Sequence, residues 1–260
     1  MNKILTGDAL KLLGDLDNES VDLVIADPPY GIDKDFGNGE EWHLGDHNSW
    51  FDWQKRWLDE IPRVLKSTGS IFIYGIHHNI GYVQTYLYEL GLNYGRLFIW
   101  HYENGWSKYS KSPAATYEPL LWFYKDSYTY NEIREPYKSQ DRLKHKIIKN
   151  GKVWIPNPEG KRGGDIWKVP TLAGRRFANE KVEHPTQKPL ALCDKIIRHF
   201  SNPDDLVLVP FVGSGSECVS AKRLGRQYLG FELNKRYVAI AEQRLAEVER
   251  VSTVPVLAKG

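Results

Sequence analysis

The sequence predicts an α/β fold built on a doubly wound, mostly parallel sheet. Three observations predict it. Short buried strands alternate with amphipathic helices toward both ends of the chain. The stretch Val21–Ala26 is an almost continuous apolar run, as expected of a strand covered on both faces. A glycine-bearing turn, Val212–Gly215, lies between a strand-like and a helix-like segment. With 260 residues, 41% of them hydrophobic, the chain can close one sizeable core, and a single domain over 1–260 is expected.

The elements follow in order. Lys3–Thr6 reads as a strand, Ala9–Leu16 as a short amphipathic helix and Val21–Ala26 as a second strand. Trp50–Leu65 has helical spacing, with Ser49 placed to cap it and Pro62 expected to kink or end it. Ser70–Tyr74 is a strand, and Ile80–Leu90 a helix stopped by Gly91. Leu97–Tyr102 and Pro119–Tyr124 are further strands. From about 126 to 182 the pattern breaks into polar, basic, Gly- and Pro-bearing sequence, read as an inserted region with little regular structure. The alternation then resumes: helix Leu190–Phe200, strand Leu206–Phe211, helix Glu217–Leu224 closed by Gly225, strand Tyr228–Phe231 and helix Lys235–Val251 capped by Asn234, with a frayed tail. The large aromatics between Trp100 and Tyr130 are assigned to the core, and acidic Asp33–Asp52 to a lid or a surface loop.

A net charge of +2 hides an asymmetry. Residues 1–60 hold five Lys/Arg against fourteen Asp/Glu, whereas residues 134–176 hold twelve against four. So dense a basic block points to a polyanion, since each cation set on a phosphate releases counterions. No apolar run reaches the roughly eighteen residues of a membrane span, and no signal peptide is apparent, so a cytoplasmic protein is expected. The two cysteines suggest neither a disulfide framework nor a zinc site.

Two motifs carry chemistry. Asp27-Pro28-Pro29-Tyr30 follows the strand Val21–Ala26, at the carboxyl edge where ligands of open α/β sheets bind. Prolines supply carbonyl acceptors without N–H donors, so this corner offers the Asp27 carboxylate and the Pro28 carbonyl to a group with two N–H bonds. An exocyclic amine fits. Two acceptors favour a pyramidal nitrogen whose lone pair can attack a sulfonium methyl in line, and Tyr30 is placed to stack on the base. Such a base must leave the duplex to reach the pocket. The second motif is Val209-Pro210-Phe211-Val212-Gly213-Ser214-Gly215, with Glu232 ending the next strand 19 residues after Gly213, a spacing suited to ribose hydroxyls. Cys218 stands where a third glycine would mark a dinucleotide site, which favours a nucleoside cofactor such as S-adenosylmethionine.

Together these motifs, in this order around a basic insertion, resemble the β class of amino-group DNA methyltransferases found in restriction-modification systems. His184-Pro185-Thr186-Gln187-Lys188-Pro189 and Lys138–Pro158 add to the resemblance. It implies a Rossmann-like methyltransferase fold with circularly permuted motif order, residues 126–182 as target-recognition region, N6 of adenine as target, and double-stranded DNA as partner. It further implies a homodimer, target-amine roles for Asp27, Pro28, Pro29 and Tyr30, and cofactor contacts from Asp8, Ala9, Asp27, Lys188, Phe211, Gly213, Ser214, Gly215, Ser216 and Glu232. Asp8 and Ala9 would flank the adenine of the cofactor, and Lys188 would approach its carboxylate or a nearby backbone group. One departure stands out: Val209 replaces the aspartate that the family usually places before Pro210, which implies weaker but not abolished cofactor binding. N4-cytosine methylation stays open, as do an RNA or protein-amide substrate and a catalytically weak DNA-binding relative. C5-cytosine chemistry is disfavoured, because neither Cys193 nor Cys218 follows a proline as that nucleophile does.

Overall fold

The computed structural model describes residues 1–31, 46–107 and 111–252. Its elements are β1 (Asn2–Thr6), α1 (Ala9–Gly14), β2 (Val21–Ala26), α2 (His47–Leu58), α3 (Ile61–Val64), β3 (Leu65–Tyr74), α4 (Ile80–Glu89), β4 (Asn93–Trp106) and β5 (Ala115–Tyr124). There follow β6 (Arg134–Glu135), β7 (Ile147–Lys149), β8 (Lys152–Trp154), β9 (Lys161–Arg162), β10 (Ile166–Lys168), α5 (Leu190–Phe200), β11 (Leu206–Val209), α6 (Ser216–Arg223), β12 (Gln227–Glu232) and α7 (Lys235–Ser252). Eight strands form one sheet in the order β1-β12-β11-β2-β3-β5-β4-β10. The pairs from β1 through β3 are parallel, as the alternating pattern predicts.

Apolar side chains alternate along each strand between two packed faces. On one face, Leu23, Ile25 and Tyr74 meet Leu192 and Ile196 of α5, Val219 of α6 and Ala241 of α7. On the other, Val21, Val24 and Ala26 meet Leu13 of α1, Trp57 of α2 and Leu87 of α4. Burial on both faces is why β2 reads as a continuous apolar run. From β2 the chain runs by α2 and α3 to β3 on its one side; from β11 it runs by α6 to β12 on the other. Neighbouring strands that diverge in this way open a crevice between their carboxyl ends. The register aligns that edge. Val207 pairs with Leu23 and Leu206 with Gln227, so the same offsets set Asp27, Phe211 and Glu232 in one row.

The sequence reading needs four adjustments. Trp50–Leu65 is not one helix: α2 starts at His47 with Asp46, not Ser49, as its N-cap residue, and the chain breaks after Leu58, with Pro62 in the first turn of α3. β4 and β5 pair antiparallel with each other, and β5 antiparallel with β3. Strand Leu206–Phe211 stops at Val209. The stretch 126–182 is more regular than expected. It holds two small two-stranded sheets, β6-β9 and β7-β8, and its β10 joins the main sheet parallel to β4. The proposed lid lies mostly outside the described residues, and its end, from His47, is α2. Trp100 and Trp122 are core, whereas Tyr117, Tyr128 and Tyr130 are exposed. No helix among the described residues is long and apolar enough to cross a membrane.

Trp167 of β10 fixes the basic region to the sheet. It is 4% exposed, its ring lies 4.5 Å from that of Phe98, and its indole N–H donates to the Gly164 carbonyl. Trp167→Ala should therefore lower unfolding free energy by about 3–5 kcal/mol, read as the shift in a denaturant melt. A change under about 1 kcal/mol would mean that this edge carries little of the fold's stability.

Candidate active site

The Asp-Pro-Pro-Tyr corner is held by its backbone. The Pro29 carbonyl accepts from Trp50 Nε1 at 2.8 Å and Gln54 Nε2 at 3.1 Å, both on α2. The Tyr30 carbonyl accepts from Asn79 Nδ2 at 2.6 Å. Gly31 then turns away at φ 68°, with Trp50 close against it. No hydrogen bond from a described residue reaches the Pro28 carbonyl. Sequence reasoning missed Gln54 and Asn79, although Gln54 left a trace: it is a glutamine on the apolar stripe of α2, between Trp50 and Trp57, and is fully buried.

Beside the corner lies a buried ion cluster. Lys188 is 3% exposed, and its Nζ lies 3.0 Å from Asp27 Oδ2 and 3.4 Å from Glu118 Oε2. It also donates to the Tyr30 hydroxyl at 2.9 Å, and that hydroxyl donates in turn to Asp27 Oδ1. Burial alone would lower the Lys188 pKa; Asp27 and Glu118 outweigh it and hold the ammonium well above its ordinary range. The same burial, with Asp27, pushes the Tyr30 phenol far up, so it stays a donor. The resemblance would send Lys188 toward a cofactor carboxylate or a backbone group; its partners here are Asp27, Glu118 and Tyr30. The Tyr30 ring, expected to stack on a base, is 6% exposed, with its hydroxyl braced against Asp27.

A cavity of about 150 Å³ runs from this cluster along the strand ends. Asp27, Pro28, Pro29, Tyr30 and Lys188 line one end, and Asp8, Ala9, Phe211, Gly213, Ser214 and Glu232 the other. Asp8 caps α1 by accepting from Leu10 N at 2.9 Å. Phe211 lies 5.6 Å from the Trp53 ring and 5.3 Å from the Trp57 ring. Glu232 Oε2 accepts from Gly213 N and Oε1 from Asn234 N, each at 2.8 Å. Burial raises its pKa. Gly213 adopts φ 49°, and a Cβ there would stand 2.8 Å from His184 Nε2, so His184 packs against the turn. Gly215 and Ser216 are not among the residues lining the cavity. Gly215 (φ 80°) packs on Ala241, and Ser216 accepts from the buried Arg244 at 3.1 Å, which also donates to the Ser214 carbonyl at 2.6 Å. Val209 is fully buried in the core.

Glu217, in the first turn of α6, also lines the cavity and is 3% exposed. It accepts from Cys193 Sγ at 3.5 Å. Burial first, then Asp27, pushes its carboxyl up to about 7. Both cysteines are buried with thiols raised by desolvation, which leaves neither as a nucleophile.

Residues 21–243 match the family described as DNA methylase. The chain belongs to this family. Type II methyltransferase M1.MboII of Moraxella bovis is 34% identical over 260 residues, covering 96% of this chain and 98% of that protein. DNA adenine methyltransferase YhdJ of Escherichia coli K12 is 35% identical over 247 residues, covering 93% and 82%. Among solved structures, the M1.HpyAVI-SAM complex aligns with TM-score 0.67 at 24% identity, over 94% of this chain and 99% of that one. PvuII DNA methyltransferase, described as cytosine-N4-specific, aligns with TM-score 0.70 at 19% identity, over 96% and 90%. These two likenesses speak to the fold. The methylase thus joins the family's enzymes, which take their methyl group from S-adenosylmethionine.

Two outcomes follow from this geometry. Asn79→Ala frees the Tyr30 carbonyl and should lower the methylase's kcat about tenfold to a hundredfold with its cofactor affinity unchanged, since it shifts the corner but not the cavity. Steady-state kinetics with calorimetry would detect the opposite pattern. Glu217 titrates near 7 when folded but near 4.5 when unfolded. The folded chain holds the proton longer, so stability from this group falls as pH rises between those values. Glu217→Gln should flatten the thermal midpoint between about pH 4.5 and 7; parallel curves for variant and wild type would refute it.

Proposed function

We propose that the methylase transfers a methyl group to N6 of an adenine flipped out of duplex DNA. The observation that carries the reading is the acceptor pair at the switch point: the Asp27 side chain fixed by Lys188 and Tyr30, beside a Pro28 carbonyl that no described donor occupies. The cavity suits S-adenosylmethionine. Asp8 and Ala9 would flank its adenine, Glu232 its ribose, and Phe211, Gly213 and Ser214 the adjoining edge. When bound, this cofactor supplies a methyl group on a positively charged sulfur. Asp27 and Pro28 accept the two N–H bonds of the target amine and aim its lone pair at that methyl; Pro29 and Tyr30 keep the corner rigid and wall the base pocket. Transfer would form the nitrogen–methyl bond as the methyl–sulfur bond breaks, leaving the cofactor as a neutral thioether, and the extra proton on the methylated nitrogen would pass toward the Asp27 carboxylate. YhdJ, a relative with comparable coverage, is called an adenine methyltransferase, which favours adenine over cytosine.

Residues 126–182 are assigned to target recognition. The β7-β8 hairpin combines Lys149 and Lys152 with the exposed Ile148, Val153 and Trp154, a basic and apolar surface suited to a DNA groove. The resemblance adds a homodimer, and the lack of an apparent signal peptide or membrane-spanning run favours a cytoplasmic setting. The test is to incubate wild type and Asp27→Ala with mixed-sequence duplex DNA and S-adenosylmethionine, then quantify methylated nucleosides by mass spectrometry. N6-methyladenine from wild type, reduced at least about a hundredfold in the variant, is expected. N4-methylcytosine would transfer the mechanism to the other base; no methylated base would reject it.

A further inference from the structure

The cavity contains more negative groups than the proposed chemistry uses. Asp8, Asp27, Glu217 and Glu232 line it, and Lys188 is the one Lys or Arg among the described lining residues. Asp8 caps α1, Glu232 is held by Gly213 and Asn234, and Asp27 is braced by Tyr30 and Lys188. Glu217 has a weaker hold. Its carboxylate has a backbone hydrogen bond within its own residue and a long one from a thiol, Cys193 Sγ, and thiols are poor donors. A buried carboxylate of this kind is costly unless a cation meets it. β11 brings no carboxylate of its own, since Leu206–Val209 is wholly apolar.

We infer that Glu217 is the site for the α-ammonium of the cofactor's amino-acid arm. This inference rests on the proposed S-adenosylmethionine reading. The row of strand ends orders the ligand: Asp8 beyond β1, Glu232 at β12, Phe211 beyond β11 and Asp27 beyond β2. With the ribose at Glu232 and the sulfonium held near Asp27 for transfer, the arm continues into the α5–α6 side of the cavity, where Glu217 sits. The sulfonium has no N–H to donate; the ammonium has three, and an ammonium–carboxylate bond is the stronger, charge-assisted kind. The groups facing Glu217 are Asp27 from β2, Tyr74 from β3, Lys188 ahead of α5, Cys193 from α5, Cys218 on α6 and Arg244 from α7. Burial, and after it Asp27, opposes ionisation of Glu217 and Lys188 favours it, which pushes the carboxyl up to about 7. Binding an ammonium draws off the carboxyl proton, so affinity rises with pH up to about 7.

Calorimetry on the full chain with three ligands separates the alternatives. S-adenosylmethionine carries both cations, S-adenosylhomocysteine the ammonium alone, and 5′-methylthioadenosine neither. Glu217→Gln should weaken the first two by a similar factor, about tenfold to a hundredfold, and leave the third unchanged. Titrations below pH 7 in buffers of different ionisation enthalpy should show proton release on binding to wild type that Glu217→Gln lacks. Loss confined to S-adenosylmethionine would assign Glu217 to the sulfonium and overturn the inference. Equal loss for all three would make the role structural, and unchanged affinity for all would remove it. Wild type that binds none of the three would instead overturn the cofactor reading on which the inference stands.

Discussion

The site depends on one buried ammonium. Lys188 is 3% exposed and lies between Asp27 and Glu118, which approach it from β2 and β5. The two carboxylates are partly buried, and a carboxylate drawn from water needs a charged partner to offset its lost solvation. Lys188 is that partner for both. It also donates to Tyr30, whose hydroxyl braces the second Asp27 oxygen, so the carboxylate faces the cavity at a fixed angle.

Backbone constraints supply the remaining precision. Two parallel pairings set Asp27, Phe211 and Glu232 in one row, although they lie nearly the whole chain apart. Side chains from α2 and from the turn before α4 then clamp the carbonyls after Pro28. The sheet fixes the height of each group and the helices fix its orientation. The basic region that we propose for DNA recognition is anchored through β10 at the far edge of that sheet.

Legibility in the sequence followed burial. β2, β11 and β12 could be read because both faces are covered, which leaves an apolar run, and α5 and α7 because their stripes are long. The Asp27 and Gly213 motifs were readable because prolines and glycines are constrained by their own covalent structure. What could not be read depends on partners distant in sequence. Lys188 and Tyr30 are 158 residues apart, and nothing local tells that lysine to pair with Asp27 rather than a ligand. The antiparallel β4-β5 pair and the edge strand β10 were missed for a similar reason: local pattern marks a strand but not its neighbour. Glu217 was assigned only to a helix, because a glutamate in a first turn is ordinary and its burial comes from the α5 contact.

The central claim is that Lys188 acts by compensating Asp27, and a double-mutant cycle in unfolding free energy tests it most directly. Lys188→Met should destabilise by about 3–5 kcal/mol, because it removes the cation that offsets two partly buried carboxylates. Adding Asp27→Asn, which removes one of those charges, should recover about 1–3 kcal/mol of that loss. Strictly additive effects of the two substitutions would mean that the ammonium and the carboxylate do not depend on each other, and would contradict the account.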